Sequence, residues 1–253
     1  MENRTSFGLD AHAYREFRPV YPDALYAYLA EICTHRNAAL DCATGNGQAA
    51  LGLARHFARV VAVDTDAAQI ATATAHERIE YVVAPAEELS TALGRFDLVT
   101  VAQGAHWFDL PKFYARLQPL LAPGAVVAIW GYSFPRIDTA VDAVLAEHLV
   151  GAVDAFWAQG NRVIMDHYRT IAFPFEEIEP PDFAIRIRWD RHAFFGFVRT
   201  WSAHKRLLAA GKPDPLRRVA ALLDAAGIWP ERDVRDLQFD LHLRVGRSGT
   251  AHR

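Results

Sequence analysis

The chain has 253 residues, 51% of them hydrophobic and 23% charged, with a formal net charge of -3. That length and balance suit one α/β domain with an added cap and a substantial buried core. Binding along a phosphate backbone needs a concentrated positive field, which this composition lacks, so no nucleic-acid partner is expected and Arg186, Arg188, Arg191 and Arg199 read as ordinary surface charges.

In chain order, Met1-Glu2-Asn3-Arg4-Thr5 opens no apolar run of the signal-peptide kind. No uncharged apolar run reaches the roughly 18 residues of a membrane span, so no membrane partner is expected. The first strong strand signal is Ala38 to Cys42, which runs into the turn Thr44-Gly45-Asn46-Gly47. Ala49 to Phe57 reads as a helix with Leu51, Leu53, Ala54 and Phe57 on its inner face. Arg59 to Asp64 is apolar almost throughout, as befits a parallel strand covered on both faces. A helix runs from Ala67 to about His76, then strands at Ile79 to Val83 and Phe96 to Ala102. Leu110 to Leu121 is helical, Pro123-Gly124 makes a turn, and Ala125 to Trp130 is a fifth strand. Such alternation predicts a doubly wound, mostly parallel sheet with right-handed crossovers.

The rhythm breaks after Trp130. Thr139 to about Tyr168 reads as helical, and Pro174, Pro180 and Pro181 punctuate the next stretch. Phe183 to Trp189 alternates with period two, the mark of a strand with one exposed face. Helices are expected near Phe194 to Leu208 and Asp214 to Ala226, and Phe239 to Val245 alternates again as a last strand. The two cysteines, Cys33 and Cys42, form no CxxC pair and no metal-ligand cluster. They read as buried thiols in a reducing cytoplasm, with no metal expected.

Two features point to a ligand. Asp41-Cys42-Ala43-Thr44-Gly45-Asn46-Gly47-Gln48 is a glycine-bearing strand-to-helix turn at the carboxyl end of the first strand, where open α/β sheets bind ligands. Gly45-x-Gly47-x-x-Ala50 also satisfies a loose dinucleotide pattern, so the turn alone leaves a dinucleotide, another nucleoside ligand and a ligand-free turn open. Asp64 ends the second strand, where a carboxylate can accept both hydroxyls of a ribose. The alternative role of helix N-cap falls more naturally to Asp66.

Taken together, further segments make the pattern specific. Asp41 to Gln48 resembles motif I of class I S-adenosylmethionine-dependent methyltransferases, and Asp64 matches their acidic residue after strand two. Pro85-Ala86-Glu87-Glu88-Leu89 resembles their segment against adenine. Phe96 to Val99 followed by Gln103-Gly104-Ala105-His106-Trp107-Phe108-Asp109 resembles the strand-four motif, and Leu120-Leu121-Ala122-Pro123-Gly124-Ala125 resembles the LxPGG turn. Ala43 departs from the pattern, standing where many such enzymes have the first glycine. Tyr14 with Arg18-Pro19-Val20-Tyr21-Pro22, His106-Trp107-Phe108 and Arg199-Thr200-Trp201-Ser202-Ala203 is similar to the trans-aconitate methyltransferase-like (type 11) subfamily.

The resemblance implies a seven-stranded Rossmann-like sheet with a helical cap, and S-adenosylmethionine as cofactor. The cofactor-binding core would span about 38–131, the cap 1–37 and about 132–210, and the last strand about 237–246. Backbone from Ala43 through Thr44, Gly45 and Asn46 to Gly47, with Asp41 and Gln48 at its ends, would pack on the methionine part of the cofactor. Asp64 and Thr65 would hold the ribose, Ala86 and Glu87 would flank adenine, and Gln103 would lie below the sulfonium. Tyr14 and Arg18 would close over the cofactor, Arg18 pairing with its carboxylate, or else only dock the N-terminal helix.

A sulfonium donor is already activated, so the protein must align the acceptor in line and exclude water. A carboxylate acceptor needs no base, whereas a hydroxyl, amine or carbon acid does. His106 is the best-placed candidate base, with pocket shaping as its other reading. Trp107, Tyr132, Arg199, Trp201 and His204 are candidate substrate contacts: aromatics to enclose a planar molecule, arginine to grip an acid. The subfamily resemblance implies a small-molecule acceptor and carboxylate O-methylation, with N- or O-methylation of a heterocyclic or secondary metabolite as the competitor. An NAD(P)-dependent oxidoreductase would share the glycine turn and Asp64, but leaves Ala86-Glu87 and His106-Trp107 without a role. The chain is expected to be a monomer or homodimer.

Overall fold

The computed structural model describes residues 17–249. Eight strands form one sheet: β1 (Ala38–Cys42), β2 (Arg59–Asp64), β3 (Ile79–Val83), β4 (Phe96–Ala102), β5 (Leu121–Tyr132), β6 (Glu176–Ile178), β7 (Phe183–Trp189) and β8 (Arg235–Arg247). Their order is β3-β2-β1-β4-β5-β8-β6, with β7 also on β8. The first five are parallel and β8 is antiparallel to β5. Leu241 pairs with both Tyr132 and Phe183, and Val245 with both Ala128 and Ile178. Hence β6 and β7 lie end to end along the same edge of β8, together filling the position of a seventh strand.

Alternation across the strands builds two apolar layers. Ala39, Val126, Ala128 and Trp130 face one cluster, which includes the Asp23–Glu31 helix and the carboxyl-terminal helices. Leu40, Cys42, Val127 and Ile129 face the other, with Phe113 and Leu117 of the Leu110–Leu117 helix. All five residues of β1 are buried. Its start is pinned by Asp97, whose Oδ2 accepts the backbone N–H groups of Asn37 at 2.7 Å and Ala38 at 3.1 Å. Because β1 has β2 on one side and β4 on the other, the chain direction of travel reverses there, and a crevice opens at the carboxyl ends of β1 and β4. Cys33 and Cys42 are both buried free thiols, and burial chiefly pushes Cys33 up to about 12.

Several elements differ from the sequence expectation. The glycine turn leads into a shorter helix, Gln48–Leu53. The helix after β2 stops at Ala71, where the Thr72 hydroxyl turns back to donate to the Gln69 carbonyl at 2.8 Å. Pro123-Gly124 lies inside β5 rather than before it, with the pairing to β4 shifting between Phe96 and Leu98. The expected long helix over 139–168 is divided: Thr139–Leu145 continues through a π-turn at Ala146–Val150, and a separate helix, Gln159–Met165, comes after an extended Trp157 and Ala158. This second piece packs on the Ala105–Trp107 turn at Gly160, where a Cβ would come 2.6 Å from the His106 carbonyl oxygen. β6, only three residues long, is too short to carry a periodicity.

Candidate active site

The turn after β1 is held from below and from the side. Thr44 donates its backbone N–H to Val63 O at 3.0 Å. Asp64 accepts the Gly45 N–H at 2.8 Å on one carboxylate oxygen and the Asp66 N–H at 2.9 Å on the other. Asp66 in turn caps the Ala67–Ala71 helix, in keeping with its sequence position. Beneath the turn, Asp41 accepts from the hydroxyls of Thr44 at 2.6 Å and Thr100 at 2.8 Å. Burial raises its pKa to about 6, against the lowering effect of those two hydroxyls. Gln48 Nε2 donates to Pro19 O at 3.1 Å and so ties the N-terminal segment to the turn.

A cavity of about 430 Å³ lies over this crevice. Of the residues singled out from sequence, Arg18, Ala43, Thr44, Gly45, Asn46, Gln48, Asp64, Thr65, Ala86, Glu87 and Gln103 line it, together with Trp107 and Tyr132. Asp41 and Gly47 do not: Asp41 is fully buried below the turn, and Gly47, at φ +84°, faces Tyr81. Tyr14 lies outside the described residues. Val20, Tyr21, Asp66 and Phe108, quoted from sequence only as parts of motifs or as a cap, also line the cavity, and so do Gln69 and Ala84, which the sequence did not single out.

A smaller chamber of about 120 Å³ adjoins it, sharing Arg18, Gln103, Trp107 and Tyr132. His106 and Trp201 line this chamber; Arg199 and His204 line neither space. Arg199 is exposed, and His204 is buried, with Nε2 2.9 Å from Asp214 Oδ1, where it helps fix the cap of the Pro215–Ala226 helix. The chamber's remaining walls come from Phe134, Trp157, Asn161, Ile164, Met165, Phe197 and neighbouring hydroxyl residues. They are scattered over some seventy positions, with no local pattern to mark them.

Around the shared boundary, Arg18 donates to the Tyr132 hydroxyl at 3.3 Å and lies 5.5 Å over the Phe197 ring. Gln103 has φ +56° and donates through Nε2 to Tyr132 O at 3.0 Å, while its Oε1 is buried with no hydrogen-bond partner among the described residues. His106 Nδ1 is 3.4 Å from the Tyr168 hydroxyl, and its ring packs on Trp107. Burial lowers the His106 pKa to about 3, so its imidazole is neutral near pH 7.

No helix among the described residues is long and apolar enough to cross a membrane. No group of three or more His, Cys, Asp or Glu among them could hold a metal ion. What remains is a doubly wound sheet with a cleft at its switch point, an acid after the second strand and an aromatic chamber alongside: the scaffold of a class I methyltransferase.

Comparison with known proteins agrees. A family profile described as a methyltransferase domain matches residues 40–129. A Dictyostelium discoideum protein described as a methyltransferase is 32% identical over 247 residues, covering 95% of this chain and 94% of its own. The solved structure of a protein from Anaeromyxobacter dehalogenans, described as a type II methyltransferase, superposes with a TM-score of 0.83 at 42% identity, covering 91% of this chain and 98% of that one. A Bacillus halodurans structure at 22% identity and a TM-score of 0.50 shares the fold. The chain belongs to the class I S-adenosylmethionine-dependent methyltransferases, and the oxidoreductase reading falls away. S-adenosylmethionine is its methyl donor, and the cavity suits that molecule. Small residues at 43, 45, 84 and 86 leave room, and the buried, unpartnered Gln103 Oε1 can face a cationic centre.

Proposed function

We propose that the chain transfers the methyl group to a carboxylate oxygen of a small organic acid, giving a methyl ester. S-adenosylmethionine, when bound, supplies a methyl group already activated on a sulfonium. The observation that supports a carboxylate acceptor is the charge pattern of the smaller chamber. Among its described lining residues Arg18 alone carries a permanent charge, no Asp or Glu faces in, and His106 is held neutral by burial. A base as weak as His106 removes little from a hydroxyl or ammonium group at neutral pH. A carboxylate is already ionised there and is drawn to a guanidinium. His106, in this reading, shapes the chamber through Trp107 and Tyr168 and does not remove a proton.

The remaining roles come from position. Asp64, with Thr65, holds the ribose hydroxyls with the lone pairs left over from the Gly45 and Asp66 N–H groups. Ala86 and Glu87 flank adenine, and the Ala43 to Asn46 backbone packs on the methionine part. Gln103 Oε1 sits beside the sulfonium, and Arg18 faces the junction of the two spaces. Asp41 and Gly47 act by shaping the turn. Residues 38–131 serve as the donor-binding core and 132–210 as most of the cap over the acceptor. Holding both reactants in line can lower the barrier by roughly 7–11 kcal/mol. A ring nitrogen with a free lone pair also needs no base, and the aromatic walls favour that second reading.

The test is transfer of a labelled methyl group from S-adenosylmethionine to a panel of small acids, scored as ester by mass spectrometry. Ester formation with no loss of rate between pH 6 and pH 8 is expected. Turnover confined to acceptors without a carboxyl group would refute the assignment.

A further inference from the structure

Two buried polar atoms, on residues that line the smaller chamber, have no place in the roles assigned so far. Trp157 Nε1 and Asn161 Oδ1 are buried and have no hydrogen-bond partner among the described residues. Both residues line the chamber. A buried polar atom left unmade costs roughly 1–3 kcal/mol, and native interiors contain few of them. Two such atoms four residues apart, on one small cavity, are explained if an acceptor molecule supplies their partners.

Their setting is closely packed. The Trp157 ring lies 6.3 Å from Phe134 and 5.8 Å from Trp201. Asn161 belongs to the Gln159–Met165 helix, clamped against the His106 turn by the close approach at Gly160. Neither residue is among the four that the chamber shares with the larger cavity. Methyl transfer has to cross that shared boundary. Trp157 and Asn161 therefore meet the part of the acceptor away from the reacting atom.

The chemistry of the pair narrows what that part is. An indole N–H can only donate, while a carboxamide both accepts and donates. A hydroxyl group, which accepts one bond and donates another, satisfies both. The surrounding Phe134, Trp157, Phe197 and Trp201 rings favour a planar, unsaturated skeleton between the two ends.

We propose that Trp157 and Asn161 are a specificity-determining pair that reads a hydroxyl group on the far side of a planar acceptor, making hydroxylated aromatic or unsaturated acids the substrate class. The acid end of this proposal rests on the carboxylate reading; the hydroxyl end does not.

The experiment keeps the two apart. The protein, saturated with S-adenosylhomocysteine, is titrated calorimetrically with benzoate against its 3- and 4-hydroxy derivatives, and with benzamide against the same derivatives. In at least one series a hydroxylated member should bind about tenfold more tightly than its parent, the worth of one neutral hydrogen bond. Trp157→Phe, which keeps an aromatic ring but no N–H, and Asn161→Leu should each reduce that ratio to near one. A gain in the benzamide series alone would sink the carboxylate reading, and with it the acid end of this inference, and leave the hydroxyl-reading role of Trp157 and Asn161 standing. Equal affinities for parent and hydroxylated compounds, absence of binding by both series, or a ratio untouched in both variants would overturn it.

Discussion

A Cβ on Gly104 would lie 2.5 Å from the Cβ of Ala43. Ala43 itself sits at φ +55°, in the left-handed region that favours glycine. The turn after β1 thus carries a methyl group where a glycine would be easier, and the strand-four turn gives up its own side chain to make room. Gly104→Ala should overpack this contact, destabilise the fold by about 1–3 kcal/mol and weaken S-adenosylhomocysteine binding. Ala43→Gly should change stability by less than about 1 kcal/mol, because relief of strain offsets a more flexible unfolded chain. The double variant should recover most of the loss. Urea unfolding of the four proteins measures the coupling, and strictly additive effects would dismiss it.

Asp64 fixes the turn with two backbone hydrogen bonds, one per carboxylate oxygen. Asparagine would set an amide donor against one of those N–H donors. Asp64→Asn should weaken S-adenosylhomocysteine binding about 10- to 150-fold, the equivalent of a charge-assisted hydrogen bond. Calorimetric titration of variant and parent checks it, provided both melt cooperatively.

His106 and His242 make the fold sensitive to acid. Burial lowers His106 to about 3, and burial followed by the neighbouring His167 lowers His242 to about 4. An unfolded histidine titrates near 6.5, so between these values the unfolded chain binds protons that the folded chain refuses. The stability they allow is complete above about pH 6.5 and falls as pH drops toward the folded values. Replacing His106 with Asn should make the fall in melting temperature between pH 7 and pH 5 shallower by a few degrees. An equally steep fall would argue against a buried neutral imidazole.

His204 is buried away from both spaces. Its bond to Asp214 and that residue's cap on Leu216 N join two carboxyl-terminal helices. His204→Ala should cost roughly 1–3 kcal/mol of stability and leave S-adenosylhomocysteine affinity unchanged within error. A selective loss of ligand affinity in a normally stable variant would put His204 back among the binding residues.

The sequence was most legible where chemistry sits next to a strand end. β1 to β4 are apolar runs that stop at turns, and the residues at those stops, Gly45, Asp64, Ala86 and Gln103, all line one cavity. The second chamber was less legible because its walls converge from distant segments. Phe134, Trp157, Asn161 and Phe197 meet only through tertiary packing, and a broken helix hid where Asn161 would fall. Arg199 and His204 show the converse hazard. They lie on either side of Thr200 and Trp201, which do line the chamber, but the chain breaks there between two helices, with Trp201 extended, so neighbouring positions turn to different surroundings. A motif read as a block therefore overcounts its contacts.

The four residues common to both spaces, Arg18, Gln103, Trp107 and Tyr132, are, among the described residues, the only lining positions that the two share, and so, under the proposed division of donor and acceptor between the spaces, the only ones at which a change would touch both. Everywhere else the two sets are disjoint. If the acceptor occupies the smaller chamber as proposed, mutations at Phe134, Trp157, Asn161 or Phe197 redraw the range of acceptors while the grip on the shared methyl donor stays intact. Descendants of one such gene could drift to new metabolites without ever passing through a form that had lost its cofactor.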